Sequence, residues 1–168
     1  MINIGIIGAG QCDESTGGFA YRAGFAVARA GAVLYCGGLC GVMESASRGA
    51  RDAGGVVIGI LPGDDRSQAN PWLTYSIPTG MGEARNSIVV RSSDVLIAIG
   101  GSYGTLSEIA FALKWQKPVA GIGTFHITDD LGHSAPIEYF DNPEDAVKWA
   151  VEIAACRSNN RSNREEVI

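Results

Sequence analysis

Glycine turns that lead directly into helices are the features of this sequence best suited to chemistry. The most informative turn, residues 100–105, follows the apolar run 94–99 and precedes a helical segment containing Glu108. A turn of this kind exposes unpaired backbone N–H groups at the positive end of a helix dipole. It therefore suits an anionic group, most often a phosphate. The predicted phosphate-binding residues here are Gly100, Gly101, Ser102, Tyr103, Gly104 and Thr105.

The sequence leaves two roles open for Glu108. It lies three residues after Thr105, which is the spacing of a capping box at the start of a helix over residues 105–116. In that case its carboxylate has only a structural role. The same position also places a carboxylate at the mouth of the predicted phosphate turn, where it could take part in chemistry.

Two earlier glycine turns follow predicted strands in the same way. The first, Gly8-Ala9-Gly10, lacks the third glycine of a dinucleotide-binding fingerprint, and a plain strand-to-loop turn is an equal interpretation. The second opens a helix directly. No Gly-Lys-Ser/Thr sequence follows any of the turns, which excludes a P-loop ATPase. The candidate phosphate ligands in these two turns are Gly8, Gly10, Gly37, Gly38 and Gly41.

Arg85 and Asn86 follow two glycines at the start of a helix predicted over residues 81–91. A fixed guanidinium at this sheet edge could hold a phosphate in a bidentate manner. The alternatives are a solvated arginine or an ion pair with Glu83. Tyr103 could likewise stack on a flat ring of a ligand or merely cover the glycine turn.

Strands and helices alternate along the chain, which predicts right-handed βαβ units. We expect an α/β fold: one Rossmann-like domain over residues 1–156, with three layers and a doubly wound, mostly parallel sheet. Residues 157–168 are expected to form a disordered polar tail. Ligands of such sheets bind beyond the carboxyl ends of the strands, where all three glycine turns fall. The predicted strands are 2–7, 32–36, 56–61, 73–77, 94–99, 118–122 and an edge segment 136–140; the predicted helices are 19–30, 42–53, 81–91, 105–116 and 146–155.

The composition narrows the classes of partner. The chain has 168 residues and a net charge of −5, which argues against nucleic acid as a partner. It lacks an apolar run long enough to cross a membrane and an N-terminal secretion signal, so we expect a cytoplasmic protein. The cysteine spacing does not favour zinc, and no metal site is predicted. We expect Cys12, Cys36, Cys40 and Cys156 to be reduced, buried thiols.

The sequence resembles the LOG-like proteins, a Rossmann-like superfamily often mislabelled as lysine decarboxylases. The segment Gly82-Glu83-Ala84-Arg85-Asn86 is similar to their arginine motif, and residues 100–108 are similar to their Pro-Gly-Gly-x-Gly-Thr-x-x-Glu motif. The resemblance covers about residues 2 to 122 and looks closest to the molybdenum cofactor carrier branch. DNA-processing protein A shares this fold and binds single-stranded DNA, a use that the acidic charge balance disfavours.

The resemblance implies two functions from different classes. LOG enzymes are phosphoribohydrolases, and as such a protein this chain would use Glu108 to steady the sugar cation and orient water and Arg85 to position the substrate. The enzymes, however, have lysine where this chain has Asn86, and Pro-Gly-Gly where it has residues 100–102. Loss of a fixed charge favours the other function, a binding or carrier protein for a nucleotide or a molybdenum-cofactor-type pterin. That protein would require no further cofactor and would form a homodimer or homotetramer. A scaffold without a ligand is a third reading.

Overall fold

A single sheet of seven parallel strands forms the centre of the protein. The computed structural model describes the backbone of residues 1–165 and the side chains of residues 1–158. The strands are β1 (Asn3–Gly8), β2 (Val33–Cys36), β3 (Val57–Leu61), β4 (Tyr75–Pro78), β5 (Val95–Ile99), β6 (Val119–Ile122) and β7 (Ile137–Tyr139). The helices are α1 (Glu14–Arg29), α2 (Val42–Asp52), α3 (Asn86–Ser92), α4 (Tyr103–Lys114) and α5 (Pro143–Glu165), with a 3₁₀ turn at Gly82–Arg85.

Helices cover both faces of this sheet, which gives the three predicted layers. Helices α1, α2 and α5 pack on one face, around Ile4, Leu34 and Ile97. Helices α3 and α4 pack on the other, around Ile7 and Leu96. All five residues of β5 are buried because helices cover the strand on both sides. The single α/β domain with a doubly wound, Rossmann-like sheet is therefore confirmed.

The strand order is β4-β3-β2-β1-β5-β6-β7, and every neighbouring pair is parallel. The chain builds outward from β1 to β4 and then returns to the other side of β1 with β5. The order thus reverses between β1 and β5, where Gly8 pairs with Ile99. A crevice beyond the carboxyl ends of these two strands is the usual ligand site of such a sheet.

Helices α1 and α4 both begin earlier than the sequence predicted, as does α5, which begins at Pro143 and not at residue 146. Helix α1 begins at Glu14, not at residue 19, because the Asp13 carboxylate caps it by accepting from the Thr16 N–H (2.7 Å). Helix α4 begins at Tyr103, with Ser102 as its N-cap residue and Thr105 as the partner in the capping box. The predicted capping pair of Thr105 and Glu108 is therefore wrong, since Glu108 lies in the second turn and faces inward.

Helix α5 extends to Glu165 and so includes residues 157–165 of the predicted polar tail, whose disorder stays a prediction. Two features favour the helix. No glycine or further proline interrupts the chain after Pro143, and the Arg157 guanidinium donates a hydrogen bond to the Gln116 carbonyl (2.9 Å). Residues 166–168 of the predicted tail lie outside the described residues.

The cysteines are free thiols, but only one of them is buried. Cys36 at the end of β2 is in the core, whereas Cys12, Cys40 and Cys156 are exposed. The expectation of buried thiols is thus wrong for three of the four, since these three lie on a loop, a turn and the outer part of α5. In the described part of the chain, no helix is long and apolar enough to cross a membrane.

Candidate functional site

A cavity of about 560 Å³, here called the main cavity, opens at the carboxyl ends of β1 and β5. It brings together residues from all three glycine turns and from the Arg85 segment. Ten of the fourteen predicted site residues line it: Gly8, Gly10, Gly37, Arg85, Asn86, Ser102, Tyr103, Gly104, Thr105 and Glu108. The sequence did not predict five further lining residues, which are Ile7, Leu39, Met43, Glu83 and Ser107.

Arg85 and Glu108 form a buried pair in the wall of the main cavity. Arg85 Nη1 lies 3.7 Å from Glu108 Oε1, and only 6% and 7% of the two side-chain surfaces are exposed. Arg85 Nη1 also donates to Asn86 Oδ1 (2.6 Å). Arg85 Nε has no hydrogen-bond partner among the described residues, although it is buried. The guanidinium therefore keeps a donor that protein groups leave unpaired.

Gly37 leaves the space that the Arg85 guanidinium occupies. A Cβ atom built on Gly37 would lie 2.7 Å from Arg85 Nη2 and 2.7 Å from Met43 Sδ. Any larger residue would displace the arginine. Gly37 is thus a packing partner of Arg85, in addition to lining the main cavity.

Burial raises the pKa of Glu108; the Arg85 guanidinium opposes this shift and the nearby Glu83 carboxylate adds to it, and the pKa that results is about 8. The carboxyl is consequently protonated and neutral at pH 7. A neutral Glu108 does not cancel the charge of Arg85. The deep part of the cavity is therefore cationic at neutral pH.

The first turn of α4 faces the same cavity. Backbone N–H groups of a first helical turn have no partner within the helix, which leaves those of Tyr103 and Gly104 available to a ligand. Asn86 Nδ2 fixes this turn by donating to Ser107 Oγ (3.0 Å) and to the Gly104 carbonyl (3.4 Å). The ring of Tyr103 is 88% exposed, so most of its surface is free of protein contacts.

The structure places four predicted ligands away from the cavity wall, where their surroundings are structural. Gly38 packs against Leu61, and Gly41 against the Ala9 carbonyl. The Gly100 N–H donates to the Ile122 carbonyl (2.9 Å) and so belongs to the sheet edge. Positive φ angles at these positions shape the turns, and a role of these residues in ligand binding stays a prediction; the four residues are Gly38, Gly41, Gly100 and Gly101.

The parallel sheet, its glycine turns and the Arg85–Glu108 pair define a LOG-like protein of the Rossmann type. Comparison with family models matches residues 1–147 to the SLOG cluster4 family, and the chain belongs to that family. An uncharacterized protein of Archaeoglobus fulgidus is 45% identical over 151 residues, which cover 90% of this chain and 95% of that protein.

Solved structures with this fold include a molybdenum cofactor binding protein and a molybdenum cofactor carrier protein. The molybdenum cofactor binding protein from Rippkaea orientalis is 38% identical, with a TM-score of 0.82 over 90% of this chain and 96% of that one. The molybdenum cofactor carrier protein from Chlamydomonas reinhardtii is 33% identical, with a TM-score of 0.80 over 92% and 99%. The resemblance to LOG-like proteins and to their carrier branch is confirmed at the level of family and fold.

Curated enzymes match a shorter stretch. The cytokinin riboside 5′-monophosphate phosphoribohydrolase LOG5 of Arabidopsis thaliana is 33% identical over 87 residues, which cover 51% of this chain and 38% of the enzyme. This chain therefore spans less than half the length of that relative.

Among residues whose side chains are described, no cluster of three or more His, Cys, Asp or Glu could hold a metal ion. The homo-oligomer and the absence of a nucleic-acid partner stay predictions.

Proposed function

We propose that this protein binds and carries a phosphorylated small molecule, a nucleotide or a molybdenum-cofactor-type pterin, in the main cavity. The observation that carries the proposal is the buried Arg85 guanidinium, whose Nε donor has no protein partner. A buried charge without an ionised partner costs several kcal/mol, because it has lost its hydration. A bound anion at the exposed edge of the guanidinium would supply the missing negative charge.

The groups around Arg85 suit a phosphate. The guanidinium offers a planar fork of donors, and the first turn of α4 adds backbone N–H groups with the positive end of a helix dipole. Glu108, which would repel an anion if it were ionised, is protonated at pH 7 because burial raises its pKa to about 8. We therefore assign the phosphate to the space between Arg85 and Gly104.

The size of the cavity and the solved relatives support a small ligand of this class. A volume of about 560 Å³ lies within the range of roughly 300–1,000 Å³ that is usual for small-molecule sites. The solved proteins from Rippkaea and Chlamydomonas are described as binding or carrying the molybdenum cofactor. That cofactor is a phosphorylated pterin, and its phosphate would meet the same donors.

Phosphoribohydrolase activity is the second candidate, favoured by the Arg85–Glu108 pair itself and by the match to plant LOG enzymes. Two features count against it. The raised pKa of Glu108 disfavours the carboxylate charge that would stabilise a developing sugar cation. Asn86 occupies the position of the enzymes' lysine. Its side-chain amide donates hydrogen bonds to Ser107 and Gly104 and adds no charge to the site.

Incubation of the purified protein with nucleoside 5′-monophosphates, followed by chromatography of the free bases, separates the two functions. We expect saturable binding without release of base. Release that disappears in Glu108→Ala would identify the hydrolase instead. If no phosphorylated compound binds or raises the melting temperature, both candidates fail and the scaffold reading stands. Mass spectrometry of the compound that co-purifies would identify the ligand.

A further inference from the structure

A second cavity, of about 810 Å³, lies next to the main cavity above the first turns of α1 and α2. The walls of the two cavities meet where Gly10 and Gly41 approach each other. Gly10 lines the main cavity and Gly41 lines the second, and a Cβ atom on Gly41 would lie only 2.6 Å from the Gly10 carbonyl carbon. No atom lies within 4 Å of a Cβ built on Gly10, so the path over this contact is open.

The walls of the second cavity suit a flat ring. Trp72 lines it from the loop before β4 and is only half-buried. Arg48 lies over the ring of Tyr21, 5.3 Å from its centroid, and both residues line the cavity. Indole and guanidinium planes are the protein groups on which heterocyclic bases stack.

The charges of the second cavity are opposite to those of the main cavity. Its two arginines are engaged by acids outside it: Arg22 pairs with Glu144 and Arg48 lies 3.9 Å from Asp52. Three acids also line it: Asp13 caps α1, Glu14 is exposed, and Glu44 is half-buried with no ion pair found among the described side chains. A phosphate is disfavoured here, whereas a group rich in hydrogen-bond donors would find a carboxylate acceptor.

We propose that the planar ring of the phosphorylated ligand lies in the second cavity, between Trp72 and Glu44, while its phosphate lies at Arg85. This inference rests on the proposed function and assigns the class of ring. The ring carries adjacent amino and ring N–H donors, as guanine and pterins do, because that edge pairs with a carboxylate through two hydrogen bonds. The sugar or linker crosses the contact between Gly10 and Gly41.

Calorimetric titration at pH 7 with ribose 5-phosphate, IMP and GMP tests the position of the ring. These probes share the phosphate and sugar; IMP adds a ring and GMP adds the amino donor. We expect each step to tighten binding, GMP by about tenfold over IMP. Trp72→Ala should lower the affinity for GMP by about tenfold and leave that for ribose 5-phosphate unchanged. Trp72→Phe should retain most of the GMP affinity, which separates lost stacking from misfolding.

Two further measurements locate the ring independently of affinity. Glu44→Gln should reduce the preference for GMP over IMP, because the amide keeps only one acceptor for the ring N–H that both nucleotides carry, and should leave the affinity for ribose 5-phosphate unchanged. GMP should slow the reaction of Cys12, which lines the second cavity, with N-ethylmaleimide, whereas ribose 5-phosphate should not. The exposed Cys156 on α5 is the internal control, because its reaction rate should not change.

The results that would contradict this inference differ from those that would contradict the proposed function. If GMP binds no tighter than ribose 5-phosphate, or if its advantage survives Trp72→Ala with Cys12 unprotected, the ring does not lie in the second cavity. Binding of ribose 5-phosphate at Arg85 would still stand in that case. If none of the three compounds binds, the proposed function itself is wrong and the inference falls with it.

Discussion

Arg85 Nη1 and Glu108 Oε1 lie 3.7 Å apart inside the protein, yet the two side chains do not form an ordinary ion pair at pH 7. Burial raises the pKa of the Glu108 carboxyl to about 8, even though the Arg85 guanidinium opposes that shift. The pair therefore consists of a cation beside a neutral acid. This arrangement leaves the charge of Arg85 available to a ligand and makes the site sensitive to alkaline pH.

The first prediction concerns stability against pH. The pKa of Glu108 is about 8 in the folded state and near 4.5 in the unfolded chain, so between these values only the folded state holds the proton. The free energy of unfolding should then fall as pH rises, by up to about 1.4 kcal/mol per pH unit, and level off above the folded pKa. Glu108→Gln should remove this slope. Urea unfolding of both proteins at pH 5, 7 and 9 measures this slope. If the free energy of unfolding changes equally with pH in both proteins, the raised pKa of Glu108 is contradicted.

A second prediction is that phosphate-dependent binding weakens above pH 8. Ionised Glu108 would compete with the ligand for Arg85 and repel it, whereas the protonated form does neither. Titration with AMP at pH 7 and pH 9 should show an affinity loss of about tenfold in the wild type and none in Glu108→Gln. An equal loss in both proteins would mean that another group titrates.

The third prediction uses two glycines of the same turn. A Cβ atom on Gly8 would lie 2.5 Å from Val42 Cγ1 and 2.6 Å from the Ile99 carbonyl oxygen, so Gly8→Ala should lower the free energy of unfolding by roughly 1–3 kcal/mol. Gly10→Ala meets no atom within 4 Å and should leave stability unchanged. Because Gly10 lines the main cavity, Gly10→Val should reduce ligand affinity at normal stability. Destabilisation by Gly10→Ala would show that the turn is packed differently.

The fourth prediction concerns the start of α4. Ser102 is the N-cap residue, and its N–H donates to Thr105 Oγ1 (3.4 Å). Ser102→Ala should cost about 1 kcal/mol of stability, while Ser102→Asp, which keeps an acceptor, should not. Thermal unfolding of the two variants provides the comparison. If both variants unfold like the wild type, the cap does not form.

The sequence predicted the architecture because alternation of apolar strands and helices leaves few topologies open. Glycine turns after strands predicted that these residues meet at one edge of the sheet, and Arg85 and Glu108 both line the main cavity there. The predicted starts of α1 and α4 were less accurate. Asp13 and Ser102 are their N-caps, but residues further along the chain could also act as caps, and only the packing decides between them. The predicted end of α5 at residue 155 was too early, because polar composition alone does not end a helix.

Contacts within the site between residues that are distant in the chain could not be predicted from the sequence. Glu83 was considered as the partner of Arg85, but the structure pairs Arg85 with Glu108, 23 positions further along the chain. Met43 and Leu39 line the cavity because α2 begins beside β1, which no local pattern indicates. Gly37, Gly38 and Gly41 were predicted as ligands from one motif, and only the packing shows that Gly37 alone of the three lines the main cavity.

The central claim, that buried Arg85 and the first turn of α4 bind a phosphate, is tested most directly by calorimetric titration with AMP and with adenosine. Both are compared in the wild type and in Arg85→Met, a variant of similar volume that leaves no buried charge unpaired because Glu108 is neutral. We predict that the wild type binds AMP at least tenfold more tightly than adenosine and that Arg85→Met removes this difference. Equal affinity for AMP and adenosine in the wild type, or an AMP preference that persists in Arg85→Met, would contradict the claim.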